Sequence, residues 1–219
     1  MYNITIIFSV HLDVDNHNST ELLNIIEKEN PEIIFEEFDI SRNEDEYYKN
    51  GHYKYQEQCS VETTAIMKYL EKYKVIHIPV DTYEVTYFPT EMYRKISLAN
   101  EEYDKLFKEN LVKSLQQGYS YINSIESNEL FLKMHIIEEE VLKNLNDKLL
   151  SDEYEKWKWI TNNRDKEMLN NIYNFSKKNK FNNAIFIIGA EHRISIFNKI
   201  KDFNKNEKLK INWKSWRIA

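Results

Sequence analysis

Short β-branched apolar runs alternate along this chain with longer stretches whose apolar residues fall three and four apart. Asn3 to Val10 is such a run and predicts a first strand. A polar turn from Asp13 to Ser19 follows. Leu22, Leu23, Ile25 and Ile26 then form one helical stripe, opened by Ser19 or Thr20 as a cap and closed near Asn30 and Pro31. Glu32 to Phe35 reads as a second buried strand, and Ile40 to Cys59 as an irregular, tyrosine-rich loop. Val61 to Lys72 carries a stripe of Ala65, Ile66, Tyr69 and Leu70 and leads into a third run, Lys74 to Val80. From Thr90 to Leu150 the period is helical throughout, with Tyr103, Leu106, Phe107, Leu111 and Leu115 on one stripe and Ile136, Ile137, Val141, Leu142 and Leu145 on another. The alternating pattern then returns as a helix from Asn163 to Lys178, a strand from Asn183 to Ile188, a helix from His192 to Asp202 and an edge strand from Leu209 to Trp216. Alternation of this kind specifies an α/β fold: a mainly parallel central sheet flanked by helices. It places an α-helical insertion over residues 90–160, a candidate lid, between the two βα halves of one domain spanning 1–219.

Composition narrows the function. With 219 residues, 42% of them apolar, the chain can bury a core without staples, and its single cysteine, Cys59, rules out an internal disulfide. A lone thiol fits a reducing compartment. The formal charge of -6 argues against a nucleic-acid partner. No stretch has the length and apolarity of a membrane span, and the start lacks the features of a signal peptide, so no membrane partner and a cytoplasmic location are expected. Only three glycines occur, Gly51, Gly118 and Gly189, which excludes the dinucleotide fingerprint and the phosphate loop. The sequence sets no oligomeric state.

The chemistry-bearing residues stand where strands end. Ligands of a parallel sheet bind outside the carboxyl ends of its strands. His11 follows the first run, Glu36 and Glu37 the second, Asp81 the third, and His192 the late strand through Gly189. If those strands run parallel, His11, Glu37, Asp81 and His192 share one face. Other candidates have plainer readings. Cys59 reads as an inert thiol, Met168 as core packing, and His135 with Glu138 as a solvated helix face rather than a metal pair. Tyr47, Tyr48, Tyr53 and Tyr55 would shape a pocket mouth or cover the sheet edge.

In order along the chain, these residues resemble the superfamily of the TraB and PrgY pheromone-shutdown proteins, Tiki proteases, erythromycin esterases and haem-binding ChaN-like proteins. The family pairs two Gly-x-x-His motifs. Gly189-Ala190-Glu191-His192 keeps the second, and Phe8-Ser9-Val10-His11 matches the first with Phe8 in place of glycine. Glu37 with Arg42 five residues later, Glu62-Thr-Thr-Ala65, the strand delivering Asp81, and Arg164-Asp165-Lys166-Glu167-Met168 are similar to its remaining motifs. The resemblance covers most of the sheet-forming chain and leaves out the helical middle.

That resemblance implies a hydrolase, a metal-dependent peptidase or an esterase, acting on a peptide or a small-molecule ester through His11, Glu37, Arg42, Glu62, Asp81, Arg164 and His192. In one version His11, Glu37 and His192 hold a divalent manganese, cobalt or zinc ion, with Glu62 or Asp81 as proton acceptor. In the other, a histidine is the general base and Arg42 or Arg164 stabilises negative charge. The alternative is a non-catalytic peptide- or haem-binding protein on the same fold.

Overall fold

The computed structural model describes residues 2–11, 13, 15–39, 60–82 and 89–217. Strands β1 (Tyr2–Ser9), β2 (Ile33–Asp39), β3 (Ile76–Asp81), β4 (Asn183–Gly189) and β5 (Ile211–Ser215) form one sheet in the order β3-β2-β4-β1-β5, with every neighbouring pair parallel. The α/β class and the parallel sheet expected from the alternation are what the chain builds, and β5 takes the edge. Strand β4 lies between β1 and β2, so the carboxyl ends of these three strands stand side by side.

Side-chain alternation sorts the strands' residues onto two faces. Ile4, Ile6, Phe8, Phe35, Phe186 and Ile188 point to one side, where they pack on α7 (Lys148–Lys178) and α8 (Arg193–Asn206). Ile7, Ile34, Ile185 and Ile187 point to the other, against α1 (Ser19–Glu29) and α2 (Val61–Lys72). All ten are essentially without solvent contact, and each contributes about 1.5–3 kcal/mol of burial. Met168 lies in the first of these cores, as its apolar character suggested. Helix α1 is capped one residue earlier than expected, because the Asn18 side chain accepts from the amides of Thr20 and Glu21. Ser60 caps α2 in the same way and so fixes Glu62 in its first turn.

Between the βα halves lie α3 (Thr90–Ala99), α4 (Glu101–Gln117), the single turn α5 (Tyr119–Ile122) and α6 (Ile125–Leu145). With the first part of α7 they enclose their own apolar cluster of Met92, Ile96, Tyr103, Leu130, Met134, Val141 and Tyr154. The helix expected to begin near Asn163 is the second half of α7, a 31-residue helix that starts at Lys148 and runs unbroken from the insertion onto the sheet. Two contacts tie the insertion down. Asn123 donates to the Phe8 carbonyl at 3.0 Å and accepts from the Phe8 amide at 2.8 Å, completing the edge of β1 beyond the end of β5. Arg193, fully buried, bonds Ser127 and the Ile122 carbonyl and lies 4.5 Å from the Phe8 ring and 5.6 Å from the Phe131 ring. Burial lowers its pKa to about 10. Phe8 is therefore a core residue.

Candidate active site

At the carboxyl ends of β1, β2, β3 and β4 the structure encloses a cavity of about 720 Å³, lined by His11, Glu37, Asp81 and His192 among others. The convergence anticipated from the strand ends is realised in full. Asn110 of α4, Phe131 of α6, and Trp157, Thr161 and Arg164 of α7 form the facing wall, so the insertion closes the side opposite the sheet.

Glu37 is the centre of the arrangement. Its Oε1 accepts from Arg164 Nη2 at 2.5 Å and faces His192 Nε2 at 3.0 Å. Its Oε2 accepts from the Gly189 amide at 2.6 Å and lies 3.8 Å from His11 Nε2. Three cationic or imidazole groups and one backbone donor thus converge on one buried carboxylate. Burial opposes the charge, but His192, His11 and Arg164 outweigh it and hold the Glu37 carboxyl well below the usual range. Glu36, next in the strand, points to the opposite face, where its carboxylate meets His77 at 2.8 Å and Thr63 at 3.2 Å. Alternation alone makes one of the two glutamates available to the cavity.

Each histidine has a second carboxylate behind it. His192 Nδ1 meets Asp165 Oδ1 at 2.5 Å, and Lys199 Nζ stands 3.9 Å from the other Asp165 oxygen. His11 Nδ1 lies 3.2 Å from Glu62 Oε1, the same oxygen that accepts from the His11 amide at 3.3 Å and from the Ser9 hydroxyl. That clamp holds His11 at φ 58°, in the left-handed region that costs a non-glycine residue about 1 kcal/mol or more. Burial works against protonation of both rings. For His11 the hydrogen bond to Glu62 and the charges of Glu62 and Glu37 prevail and raise the pKa to about 9; for His192, Glu37 and Asp165 raise it to about 10. Glu62 is lowered to about 2, because its bonds to His11 and Ser9 overcome its burial.

Arg164 does not pair with Asp165, its chain neighbour. It bridges Glu37 and Asp81, reaching Asp81 Oδ2 from Nη2 at 2.7 Å and from Nε at 3.2 Å. Asp81 is buried and thereby holds the guanidinium at the cavity wall. Glu62 is also buried and meets the cavity through His11. Arg42, Cys59 and the four tyrosines of the 47–55 stretch lie outside the described residues. His135 and Glu138 depart from a solvated helix face: Glu138 is buried and accepts from Tyr103 at 2.9 Å while facing His135 Nδ1 at 2.7 Å.

Asp165 and Ser9 are the functional neighbours that strand-end reasoning passes over. Nothing local marks Asp165 as a partner of His192, since 27 residues separate them. Ser9 carries a weak signal in standing directly opposite Gly189 in the strand register.

The site's donor chemistry suits a divalent ion in kind. Both imidazoles are anchored at Nδ1 by a buried carboxylate, the usual outer partner of a metal-ligating histidine, and both turn Nε2 toward Glu37. Among the described residues no group of three or more such side chains is spaced as an ion-holding set, and the side chains engage one another instead. No helix among them is long and apolar enough to cross a membrane. Comparison with protein-family models, curated proteins and solved structures returns no match.

Proposed function

We propose that the protein is a hydrolase of esters or peptide amides, with its reaction centre at Glu37 between His11 and His192. The observation that carries this reading is the pair of imidazoles, each braced from behind by a buried carboxylate and both aimed at one carboxylate inside a single cavity. The motif resemblance to the Tiki, TraB and erythromycin-esterase superfamily supports the same reading, and lone Cys59 agrees with a cytoplasmic setting.

In the version with a metal, His11, His192 and Glu37 would exchange their contacts with one another for a manganese, cobalt or zinc ion, which would polarise the substrate carbonyl and lower the pKa of its water. The chain's own groups do the rest. Glu62 and Asp165 fix the ring orientations through Nδ1. Arg164, held by Asp81, presents positive charge to the oxygen on which negative charge develops. An ion and a proton compete for each Nε2 lone pair, so ion binding releases protons. In the ion-free version an imidazole serves as base. With a pKa of about 9 only about one His11 in a hundred is neutral at pH 7, so that version runs on a rate that climbs through pH 9. In the version with an ion the rate would instead rise near pH 7.

The test is a panel of esters and peptide anilides with each of the three ions, with and without chelator. The wild type turns over at least one substrate, an ion raises the rate, and His11→Ala or His192→Ala lowers kcat/KM by about a hundredfold or more with an unchanged circular dichroism spectrum. If no substrate is hydrolysed under any condition, the hydrolase reading fails and the non-catalytic binder of a peptide or haem replaces it.

A further inference from the structure

The helical insertion encloses a second cavity, of about 550 Å³, walled by Tyr93, Phe107, Leu111, Phe131 and Met134. Its buried carboxylate, Glu138, is engaged by Tyr103 and His135. The basic residues at its rim are engaged as well, Arg94 with Glu91 at 2.7 Å and Lys108 with Asp104 at 2.5 Å. Glu191 differs from all of these. Its carboxylate forms no hydrogen bond or ion pair with the described residues, and desolvation together with the nearby Glu138 charge raises its pKa, so it lacks a close cationic partner. It also lines both this cavity and the catalytic one, as do Asn110 and Phe131, so the two spaces lie side by side with these three side chains in common.

Each part of this arrangement matches one part of a ligand. An apolar chamber beside an acyl-hydrolysis centre fits the side chain of an acyl group. A carboxylate between the two cavities, next in sequence to His192 and without an ion-pair partner among the described residues, fits the ammonium carried on the carbon beside the carbonyl. From this geometry we infer that the substrate is an α-aminoacyl ester or amide with a free amino group and a bulky apolar side chain, such as the N-terminal leucine or phenylalanine of a peptide. The carbonyl lies among His11, His192 and Arg164, the ammonium on Glu191, and the side chain in the insertion cavity. Hydrolysis adds the oxygen of water to the carbonyl carbon and breaks its C–O or C–N bond; one water proton goes to the departing alcohol or amine and the other leaves with the acid. The carbonyl's placement rests on the hydrolase reading, whereas the ammonium and side-chain sites stand on the second cavity and Glu191.

The experiment is calorimetric titration of the full chain with phenylalanine amide, N-acetylphenylalanine amide and glycine amide. Phenylalanine amide binds at least about tenfold more tightly than either of the others, the scale of one charge-assisted hydrogen bond or one buried ring. Glu191→Gln erases the preference for the free amine and keeps that for the ring. Leu111→Trp, which fills the cavity from its half-exposed wall, erases the preference for the ring alone. Equal affinity for the three compounds, binding of none, or both preferences surviving in both variants overturns the inference. Turnover of phenylalanine p-nitroanilide, read on the same samples, separates the two claims. Selective binding with no turnover of this anilide or of any member of the ester and anilide panel leaves this inference standing and contradicts the hydrolase reading, while turnover without selectivity does the reverse.

Discussion

A Cβ built on Gly189 would stand 2.7 Å from His11 Nε2 and 3.2 Å from Glu37 Oε2. The residue's own backbone, at φ -60° and ψ 143°, suits any amino acid, so glycine is needed here for space rather than for conformation. The atoms in the way are the tips of two side chains, one of them the half-exposed His11, and these can move without disturbing the strand. Gly189→Ala therefore leaves the thermal midpoint nearly unchanged, within about 1 kcal/mol, while displacing the imidazole and lowering kcat/KM by about a hundredfold, the effect of a misplacement near 1 Å. Differential scanning calorimetry and steady-state kinetics on the same variant check both halves; a loss of stability with activity retained would show that Gly189 serves the sheet and not the site.

At the scale of elements, β1 depends on a side chain for its last rung. Asn123 supplies both a donor and an acceptor to Phe8, just before the strand delivers Ser9 and His11. Asn123→Ala leaves a buried amide and carbonyl unpaired, so we expect a loss of about 2–4 kcal/mol in urea unfolding and weaker substrate turnover from a loosened His11. Leu149→Ala, at an exposed position of α7, would show neither effect. The strands themselves were legible because a β-branched run bounded by polar residues has few other uses, and the placement of His11, Glu37, Asp81 and His192 followed from where those runs stop. The full extent of α7 was not legible. Between Asp152 and Lys158 charged residues dilute its apolar stripe, and continuity across that stretch comes from tertiary packing. Contacts made across the fold, such as Asp165 on His192 or Arg193 between two phenyl rings, leave no local pattern at all.

For the whole molecule, the site is a store of charge that couples stability to pH. Glu37 and Glu62 have folded pKa values below their ordinary 4.5, so the stability they contribute is present above that value and is lost as pH falls toward 2. His11 and His192 have folded values above their ordinary 6.5; their contribution is complete below 6.5 and is lost as pH rises through about 9 and about 10. The urea midpoint is accordingly highest between about pH 4.5 and 6.5 and falls on both sides. A midpoint that keeps rising from pH 6.5 to pH 9.5 would show that the imidazoles gain nothing from their carboxylates.

The functional account stands on Glu37 gathering two carboxylate-braced imidazoles at one point, and NMR titration of the histidine ring signals in the ion-free protein reads that coupling directly. The signals of His11 and His192, assigned with His11→Gln and His192→Gln, should titrate near 9 and near 10 and shift toward 6.5 in Glu37→Gln. Titration of both near 6.5 in the wild type, unmoved by Glu37→Gln, would contradict the account.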